Sequence, residues 1–387
     1  MNTPYFLIHE DDLVQNINTF KSALSRFWDN YRIAYSVKTN SLPWLLGFLR
    51  ERNIMAEVVS DEEYSMALIA GYSDNEIVFN GPIKGKEKFV RAIENGAVVN
   101  IDSKKELEWL TEGIVPRNSR VGLRVNIDIS DKCSSEIDYS DEGFRFGFSY
   151  ENGELEKTIH LLENKTKIKV NGLHVHCNSR TRSLDVYRAI AEKVTEIIDN
   201  YRLDLEYIDI GGGFFGGVLG KPSAMDYIPV IADVLKRVVS PHDTMLIVEP
   251  GSSIISSPVD FVTRVIDVKD TKLSRIVTTD GSTINIDPLW SKNKYFYQLR
   301  TKSSQKSAKQ IICGYTCMDH DRIMRIYDEP ELKIDDEIIY RKVGAYSMTF
   351  GGMFIRYYPD VYVKHGNIYT KVRSRIDTEE YVRIHSD

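Results

Sequence analysis

The chain has 387 residues, enough to bury a large core and too many for one small domain, so we expect two domains. Hydrophobic residues make up 42% of it and charged residues 27%, as in an ordinary folded protein, and the 11% of aromatic residues argues against disorder. The formal net charge of −6 gives no general attraction to nucleic acid or to a membrane surface, so we expect neither as a partner.

The amino terminus and the cysteines favour a cytoplasmic protein. The first residues, MNTPYFLIHEDDL, turn acidic early, unlike a signal or transit peptide, and no apolar run approaches the roughly 18 residues of a membrane span. Four cysteines are too few for a disulfide framework in a chain of this length, so we expect free thiols. Cys313 and Cys317 could hold a metal, but no second pair stands at zinc spacing, and we predict no metal.

Eight short apolar runs alternate with amphipathic stretches over residues 14–258. The runs predict strands, which are in chain order YRIAYSV, IMAEVVS, EIVFNG, AVVNIDS, VGLRVNID, VNGLHVHC, LEYIDIGG and MLIVEPG. Stretches between them, such as DEEYSMALIAG and RSLDVYRAIAEKVTEIIDNY, have helical spacing. The alternation predicts a (β/α)8 TIM-like barrel of the α/β class, in which every parallel strand is buried on both faces. An open doubly wound sheet is the alternative.

The pattern changes after residue 258. Strand-like runs separated by turns follow, among them DFVTRVIDVK, SRIVTTDG, QIICGYT, DEIIYRKVGAYSMTF and VYVKHGNIYTKVRS. They predict a β-sandwich or β-barrel domain over residues 259–387. The extended start TPYFLIHE could pair with it, so we assign residues 1–13 to this β domain and residues 14–258 to the barrel.

Polar residues recur where the predicted barrel strands end, which is where barrel enzymes build their sites. In chain order they are Lys38, Glu57, Asn80 with Gly81, Asp102, Asn126, His176, Gly211 to Gly213, and Glu249. Three consecutive glycines after a strand let backbone N–H groups approach a phosphate. A buried glutamate needs a cation or a hydrogen-bond donor.

The run HVHC offers two interpretations. His174 and His176 could be the zinc pair of an amidohydrolase-like barrel, but no later histidine falls at a barrel strand end. An imidazole stacked on a planar ring fits His176 better. Pyridoxal 5′-phosphate would use all these groups at once, with its aldehyde on Lys38, its phosphate on the glycines, its ring against His176 and its ring nitrogen on Glu249.

These motifs resemble those of the fold-type III pyridoxal-phosphate decarboxylases, the family of the diaminopimelate, ornithine and arginine decarboxylases. YSVKTN resembles the family's lysine motif, HVHCNS its H-x-G-S segment, and GGGF and EPG its phosphate loop and ring-nitrogen glutamate. The resemblance implies an alanine racemase-like barrel with Lys38 as the Schiff-base lysine. The cofactor contacts it implies are Lys38, Glu57, His176, Ser179, Gly211, Gly212, Gly213, Glu249 and Tyr346.

The segment GYTCMDHD resembles the family's G-P-x-C-[DE]-x-x-D motif. The resemblance implies that Cys317 acts with Lys38 and His176 as a catalytic residue and enters the site of a neighbouring subunit. We therefore expect a homodimer with shared active sites that acts on a small-molecule amino-acid substrate.

Two positions depart from the family's pattern. Ser252 stands where the family has the arginine of EPGR, and Met318 stands where an acid reads the distal amine of the substrate. A hydrogen bond to a charged group contributes about 1.5–3 kcal/mol, so its loss argues against ornithine or lysine as substrate. Arg180 and Arg182 could replace the missing arginine. The predicted substrate-binding residues are Arg180, Arg182, Ser252, Met318 and Asp321.

We therefore predict a pyridoxal-phosphate-dependent carboxy-lyase that acts on a carboxylated or conjugated amino acid, as diaminopimelate decarboxylases do. Glu249 would keep the ring nitrogen protonated, which favours loss of CO2, whereas a racemase on this fold places an arginine there. An amino-acid racemase and a non-catalytic binding or regulatory relative are the alternatives.

Overall fold

The computed structural model describes residues 1–116, 119–134, 136, 142–177 and 181–386. The chain divides into two compact units, one of residues 16–253 and one that combines residues 1–15 with residues 254–387. Strand β1 (Tyr5–His9) opens the chain and helix α1 (Glu10–Phe27) follows it. Each unit is built on its own sheet.

The larger unit is a closed barrel of parallel strands. Its sheet runs in the order β5-β4-β3-β2-β10-β9-β8-β6, and pairing of β5 with β6 closes the circle. A further short strand, β7, pairs with β6. These strands are β2 (Tyr31–Ser36), β3 (Met55–Val58), β4 (Ile77–Phe79), β5 (Val98–Ile101), β6 (Arg120–Asn126), β7 (Phe148–Ser149), β8 (Lys169–Val175), β9 (Tyr207–Asp209) and β10 (Met245–Val248).

Helices alternate with the barrel strands. They are α2 (Pro43–Arg50), α3 (Asp61–Ile69), α4 (Lys86–Glu94), α5 (Lys104–Thr111), α6 (Ser130–Cys133), α7 (Glu154–Leu161), α8 (Leu184–Tyr201), α9 (Ala224–Leu235) and α10 (Ser252–Ile255). Local chemistry sets their starts. Pro43 occupies the first turn of α2, where its missing N–H costs nothing. Ser103 and Glu106 form a capping box at the start of α5.

The smaller unit is a mixed sheet of nine strands. Strand β1 lies inside it, antiparallel to β11 (Val259–Asp270) and parallel to β19 (Asp360–His365). The remaining elements are β11 (Val259–Asp270), β12 (Arg275–Thr279), α11 (Thr283–Ile286), β13 (Phe296–Arg300), β14 (Lys306–Ser307), β15 (Gln310–Cys313), β16 (Met324–Ile326), β17 (Glu329–Pro330), β18 (Glu337–Arg341), β19 (Asp360–His365), β20 (Ile368–Arg373) and α12 (Thr378–His385). Of these, β14 and β17 pair only with each other.

The predicted fold class is confirmed: a parallel eight-stranded barrel accompanies a separate sheet domain. All eight predicted barrel strands are present. They could be predicted because strands buried on both faces leave uninterrupted apolar runs in the sequence. The open sheet is excluded because β5 pairs with β6. Among the described residues, no helix is long and apolar enough to cross a membrane.

Two barrel strands carry glycines that make room for one tyrosine. A Cβ atom on Gly172 would lie 2.1 Å from the ring carbon that bears the hydroxyl of Tyr207, and one on Gly122 would lie 2.0 Å from that hydroxyl. Tyr207 itself is only 5% exposed. Two positions of the barrel interior therefore carry glycine, and the ring and hydroxyl of Tyr207 fill the space that side chains there would need.

This packing predicts that Gly172→Ala lowers the free energy of unfolding by about 1–3 kcal/mol, because a methyl group there overpacks the barrel. Gly47→Ala is the matched control, since nothing lies within 4 Å of its added Cβ and alanine suits the interior of α2 better than glycine. Urea unfolding followed by circular dichroism measures both. Equal stabilities for the two variants would contradict the packing described here.

Candidate active site

One cavity opens at the carboxyl ends of the barrel strands. Its volume is about 840 Å³, and Lys38, Arg124 and His176 line it together with the segment 142–146. Cavities of roughly 300–1,000 Å³ hold small organic ligands. Two of the predicted catalytic residues, Lys38 and His176, therefore face the same space.

Lys38 lies in a single 3₁₀ turn, Val37–Thr39, directly after β2. Its Nζ is 3.1 Å from Oε2 of Glu57, which lies on the neighbouring strand β3. The lysine side chain is 45% exposed and the glutamate side chain only 1%. The pair thus places an ammonium in the cavity wall and its counter-charge behind it, which explains why a lysine ends an apolar strand.

Glu249 follows β10 and is buried. Nδ2 of Asn80 donates to its Oε1 at 2.5 Å, and Nε2 of His174 lies 3.5 Å from its Oε2. Donor atoms of His174, Asp209 and Glu249 all lie within 4.8 Å of one another. Two carboxylates and an imidazole therefore share one buried cluster.

This cluster holds its two acids in different protonation states. Burial, and then the charge of Glu249, raise the pKa of Asp209 well above its usual range. Burial alone would also raise the pKa of Glu249, but His174 and a hydrogen bond with Asp209 outweigh it and hold that pKa well below its usual range. Asp209 is thus the protonated partner and Glu249 the ionised one. An ionised carboxylate is the group needed by a protonated ring nitrogen.

The glycine run after β9 passes between His176 and the backbone of Glu249. Gly211 and Gly213 have positive φ angles of 67° and 86°. A Cβ atom on Gly211 would lie 2.7 Å from Cβ of His176, and one on Gly212 would lie 2.3 Å from the carbonyl oxygen of Glu249. Only glycine fits at Gly211 and Gly212, both of which are buried, whereas Gly213 is exposed.

His176 is neutral in this setting. Burial, followed by the positive charge of Arg124, lowers the pKa of His176 from its usual 6.5 to about 3. A neutral imidazole suits stacking against an aromatic ring, because it brings no positive charge next to a ring nitrogen that must itself carry a proton.

Arg124 was missed in the sequence because it stands inside the apolar run of β6. Its Nη1 donates to Oδ2 of Asp102 at 2.8 Å, and its guanidinium lies 4.3 Å from the ring centroid of Phe146. Oδ1 of Asp102 accepts from the backbone N–H of Gly147 at 2.9 Å. A charged side chain in an otherwise apolar strand was the available signal. Asp209 was missed too, hidden within the glycine motif.

Arg182 lies beside Ser252, at the end of the last barrel strand. Its Nη1 is 3.4 Å from Oγ of Ser252 and 3.5 Å from the carbonyl oxygen of Phe214 in the glycine loop. Its backbone has a φ of +55°, and its carbonyl oxygen accepts from the hydroxyl of Tyr227 at 2.7 Å. Ser179 and Arg180, predicted as cofactor and substrate contacts, lie outside the described residues.

The other predicted site residues belong to the smaller unit. Cys317 and Tyr346 are exposed, and Met318 is partly exposed. Asp321 is 2% exposed, and its carboxylate accepts hydrogen bonds from three groups, the hydroxyls of Ser282 and Thr316 and a backbone N–H. In this unit Asp321 shapes the turn that presents Cys317, and its contact with a substrate stays a prediction.

The environment of His176 predicts that its imidazole stays neutral at and above about pH 5. With ¹³C-labelled histidine, the signal lost in His176→Gln should not move between about pH 9 and pH 5, whereas free histidine titrates there. An unfolded chain takes up this proton near pH 6.5, so the wild type should lose stability relative to the variant as the pH falls from about 6.5 toward 3. A midpoint near 6.5 in the folded protein would contradict the described burial.

Comparison with known proteins gives the family. Residues 10–256 match the family model described as pyridoxal-dependent decarboxylase, pyridoxal binding domain. The chain is 27% identical to a probable chloroplastic diaminopimelate decarboxylase of Oryza sativa subsp. japonica, over 98% of this chain and 79% of the relative. It is 25% identical to the diaminopimelate decarboxylase of Aquifex aeolicus, over 91% of this chain and 84% of the relative.

Solved structures show the same fold. The diaminopimelate decarboxylase of Methanocaldococcus jannaschii superposes with a TM-score of 0.88 at 22% identity, covering 99% of this chain and 92% of that one. The arginine decarboxylase of Paramecium bursaria Chlorella virus does so with a TM-score of 0.79 at 21% identity, covering 94% and 96%. The predicted cofactor, pyridoxal 5′-phosphate, and the predicted carboxy-lyase activity are confirmed, and decarboxylation is favoured over the racemase and non-catalytic alternatives. The chain belongs to the pyridoxal-dependent decarboxylase family.

Proposed function

We propose that this enzyme removes CO2 from an amino acid that carries a second anionic group, with diaminopimelate as the first candidate. The single observation that carries the proposal is the position of Arg182, whose guanidinium lies beside Ser252 at the end of the last barrel strand. The names of the relatives in rice and A. aeolicus point to the same substrate. A fixed positive charge there suits a carboxylate and repels the distal ammonium of ornithine or lysine.

The residues of the barrel fit pyridoxal phosphate. The amine of Lys38 reaches the cavity, and the backbone of Gly211 and Gly212 passes where a Cβ atom would clash. In our proposal Lys38 binds the aldehyde, the glycine loop binds the phosphate, His176 covers one face of the ring, and Glu249 binds the ring nitrogen. Tyr346 and Ser179 would complete the phosphate contacts.

When bound, this cofactor withdraws electrons from the α-carbon of the substrate and so allows a carboxylate to leave as CO2. The chain's own residues favour loss of CO2. Ionised Glu249 holds a proton on the ring nitrogen, which strengthens that withdrawal. Glu57 keeps the amine of Lys38 at the cavity wall. Lys38 or Cys317 would return a proton to the α-carbon.

Arg182 is held in place by its surroundings. Tyr187, Phe214 and Tyr227 pack against one another with ring centroids 4.7 to 5.3 Å apart. The hydroxyl of Tyr187 donates to the carbonyl oxygen of Gly212, and that of Tyr227 donates to the carbonyl oxygen of Arg182. One aromatic cluster thus ties Arg182 to the glycine loop. Ser252 stands where the family has an arginine, and in our proposal Arg182 takes over the role of that arginine. Arg180 and Met318 would be further substrate contacts.

The proposed assembly is a homodimer in which Cys317 of each subunit completes the site of the other. The exposure of Cys317 and Tyr346 in the smaller unit supports this role, since both are available to a partner subunit. All four cysteines are free thiols, which supports the proposed cytoplasmic location.

Arg182→Ala should raise the KM of the carboxylated substrate by about tenfold or more, the loss expected for a charge-assisted hydrogen bond, while the affinity for pyridoxal phosphate changes less. Lys221→Ala is the matched control, because Lys221 also lies over the ring of Phe215 but is exposed. Steady-state kinetics and cofactor titration separate the two effects. An unchanged KM in Arg182→Ala removes the proposed carboxylate contact.

The substrate proposal is tested by the release of labelled CO2. Protein loaded with pyridoxal phosphate is offered diaminopimelate, lysine, ornithine and arginine, each labelled in the α-carboxylate, with Lys38→Ala as the inactive control. We expect release from diaminopimelate to exceed release from the three others. Faster release from ornithine or arginine would refute the proposed substrate class.

A further inference from the structure

A line of hydrogen bonds crosses the barrel interior and ends on both buried acids. The hydroxyl of Tyr207 donates to Oδ1 of Asn100 at 2.7 Å, and Nδ2 of Asn100 donates to Oδ1 of Asn80 at 2.8 Å. Nδ2 of Asn80 then donates to Oε1 of Glu249 at 2.5 Å and to Oε1 of Glu57 at 3.1 Å. We call Tyr207, Asn100 and Asn80 the amide relay. All three are at most 5% exposed.

The amide relay has a fixed direction. An ionised carboxylate only accepts hydrogen bonds, so Asn80 must turn its NH2 group toward Glu57 and Glu249. Its oxygen then faces Asn100, which must also present its NH2 group. The oxygen of Asn100 is left for the hydroxyl of Tyr207. Each member therefore has one orientation in which every hydrogen bond is made. The hydroxyl of Tyr207 fixes the orientation of Asn100, and Asn100 fixes that of Asn80.

The barrel is shaped around the start of this line. A Cβ atom on Gly122 would lie 2.0 Å from the hydroxyl oxygen of Tyr207 and 2.2 Å from Oδ1 of Asn100. A Cβ atom on Gly172 would meet the ring of the same tyrosine. A phenylalanine would fill the apolar part of this space equally well. The absence of a side chain at Gly122 thus makes room for the hydroxyl of Tyr207 and for its acceptor, Oδ1 of Asn100.

We propose that the amide relay is a positioning device for catalysis, which holds Glu249 in one rotamer through Oε1, while His174 lies near its other oxygen, Oε2. The inference rests on the proposed role of Glu249 as the partner of the ring nitrogen. Asn80 gives one N–H to each acid, so the spacing between the acid at the ring nitrogen and the acid behind Lys38 is set by one amide group.

The contacts of Glu249 show why such a device is needed. It lies close to His174 on β8 and Asp209 on β9, and the positive charge of Lys38 also acts on it. His174 makes only a 3.5 Å approach to Oε2. The 2.5 Å contact with Asn80 is the shortest hydrogen bond that Glu249 makes among the described residues. Without the hydrogen bond from Asn80, Oε1 of Glu249 would lose its fixed donor, and the carboxylate could leave its present rotamer.

The test uses Tyr207→Phe, which removes the first donor without touching the cavity. Tyr72→Phe is the matched control, because its buried hydroxyl also donates one hydrogen bond within the barrel unit, to the carbonyl oxygen of Leu46 at 3.0 Å. Both variants should lose similar stability, because each loses one buried hydrogen bond. Stability alone therefore cannot produce a difference between them.

The decisive readout is the ¹³C signal of the Glu249 carboxylate in protein loaded with pyridoxal phosphate, assigned by its loss in Glu249→Gln. We expect the signal to shift in Tyr207→Phe and stay in place in Tyr72→Phe. The absorption of the bound cofactor should change its pH dependence in Tyr207→Phe only. With the best substrate, kcat should fall by about tenfold at unchanged KM, as for the loss of one ordinary hydrogen bond.

Asn80→Leu extends the test to the last member of the relay, and it should shift the same signal further if Tyr207→Phe yields too little folded protein. If the Glu249 signal and kcat are the same in Tyr207→Phe and Tyr72→Phe, the relay is only part of the core and the inference fails. A wild-type protein that takes up no pyridoxal phosphate would instead refute the proposed function, and the Glu249 signal would still report on the relay.

Discussion

Two carboxylates buried side by side, Glu57 and Glu249, are the constraint on which the site depends. An unpaired buried charge costs several kcal/mol, so each acid must find donors or a cation within the barrel. Glu57 has Lys38, and Glu249 has the cluster of His174 and Asp209. Asn80 serves both acids with one amide. The ammonium of Lys38, at the end of the first barrel strand, thus helps to compensate the buried charge of Glu57.

The barrel unit supplies groups of both charges. Ionised Glu249 suits a protonated ring nitrogen, and the neutral imidazole of His176 adds no competing charge. Two guanidinium groups supply positive charge: Arg124 is held by Asp102, and Arg182 lies beside the glycine loop. A ligand with an anionic tail and a protonated ring would match this arrangement of charge.

Much of the fold and part of the site were predictable from the sequence. Strands buried on both faces leave apolar runs, and the residue after each run, such as Lys38 or Glu249, falls at the carboxyl rim of the barrel. Groups inside the strands were not predictable. Tyr207 and Asn100 stand in the runs as ordinary residues, and their hydrogen bond depends on register between strands distant in the chain. Helix α12 was missed because its eight residues follow a long series of strands.

The central claim is that the amine of Lys38 carries the cofactor. Protein loaded with pyridoxal phosphate can be treated with borohydride, which makes the lysine–cofactor bond permanent, and then digested and mapped by mass spectrometry. We expect the added mass on the peptide that contains Lys38. A label on another lysine, such as buried Lys84 of the pair with Glu106, or no label on any peptide, would contradict it.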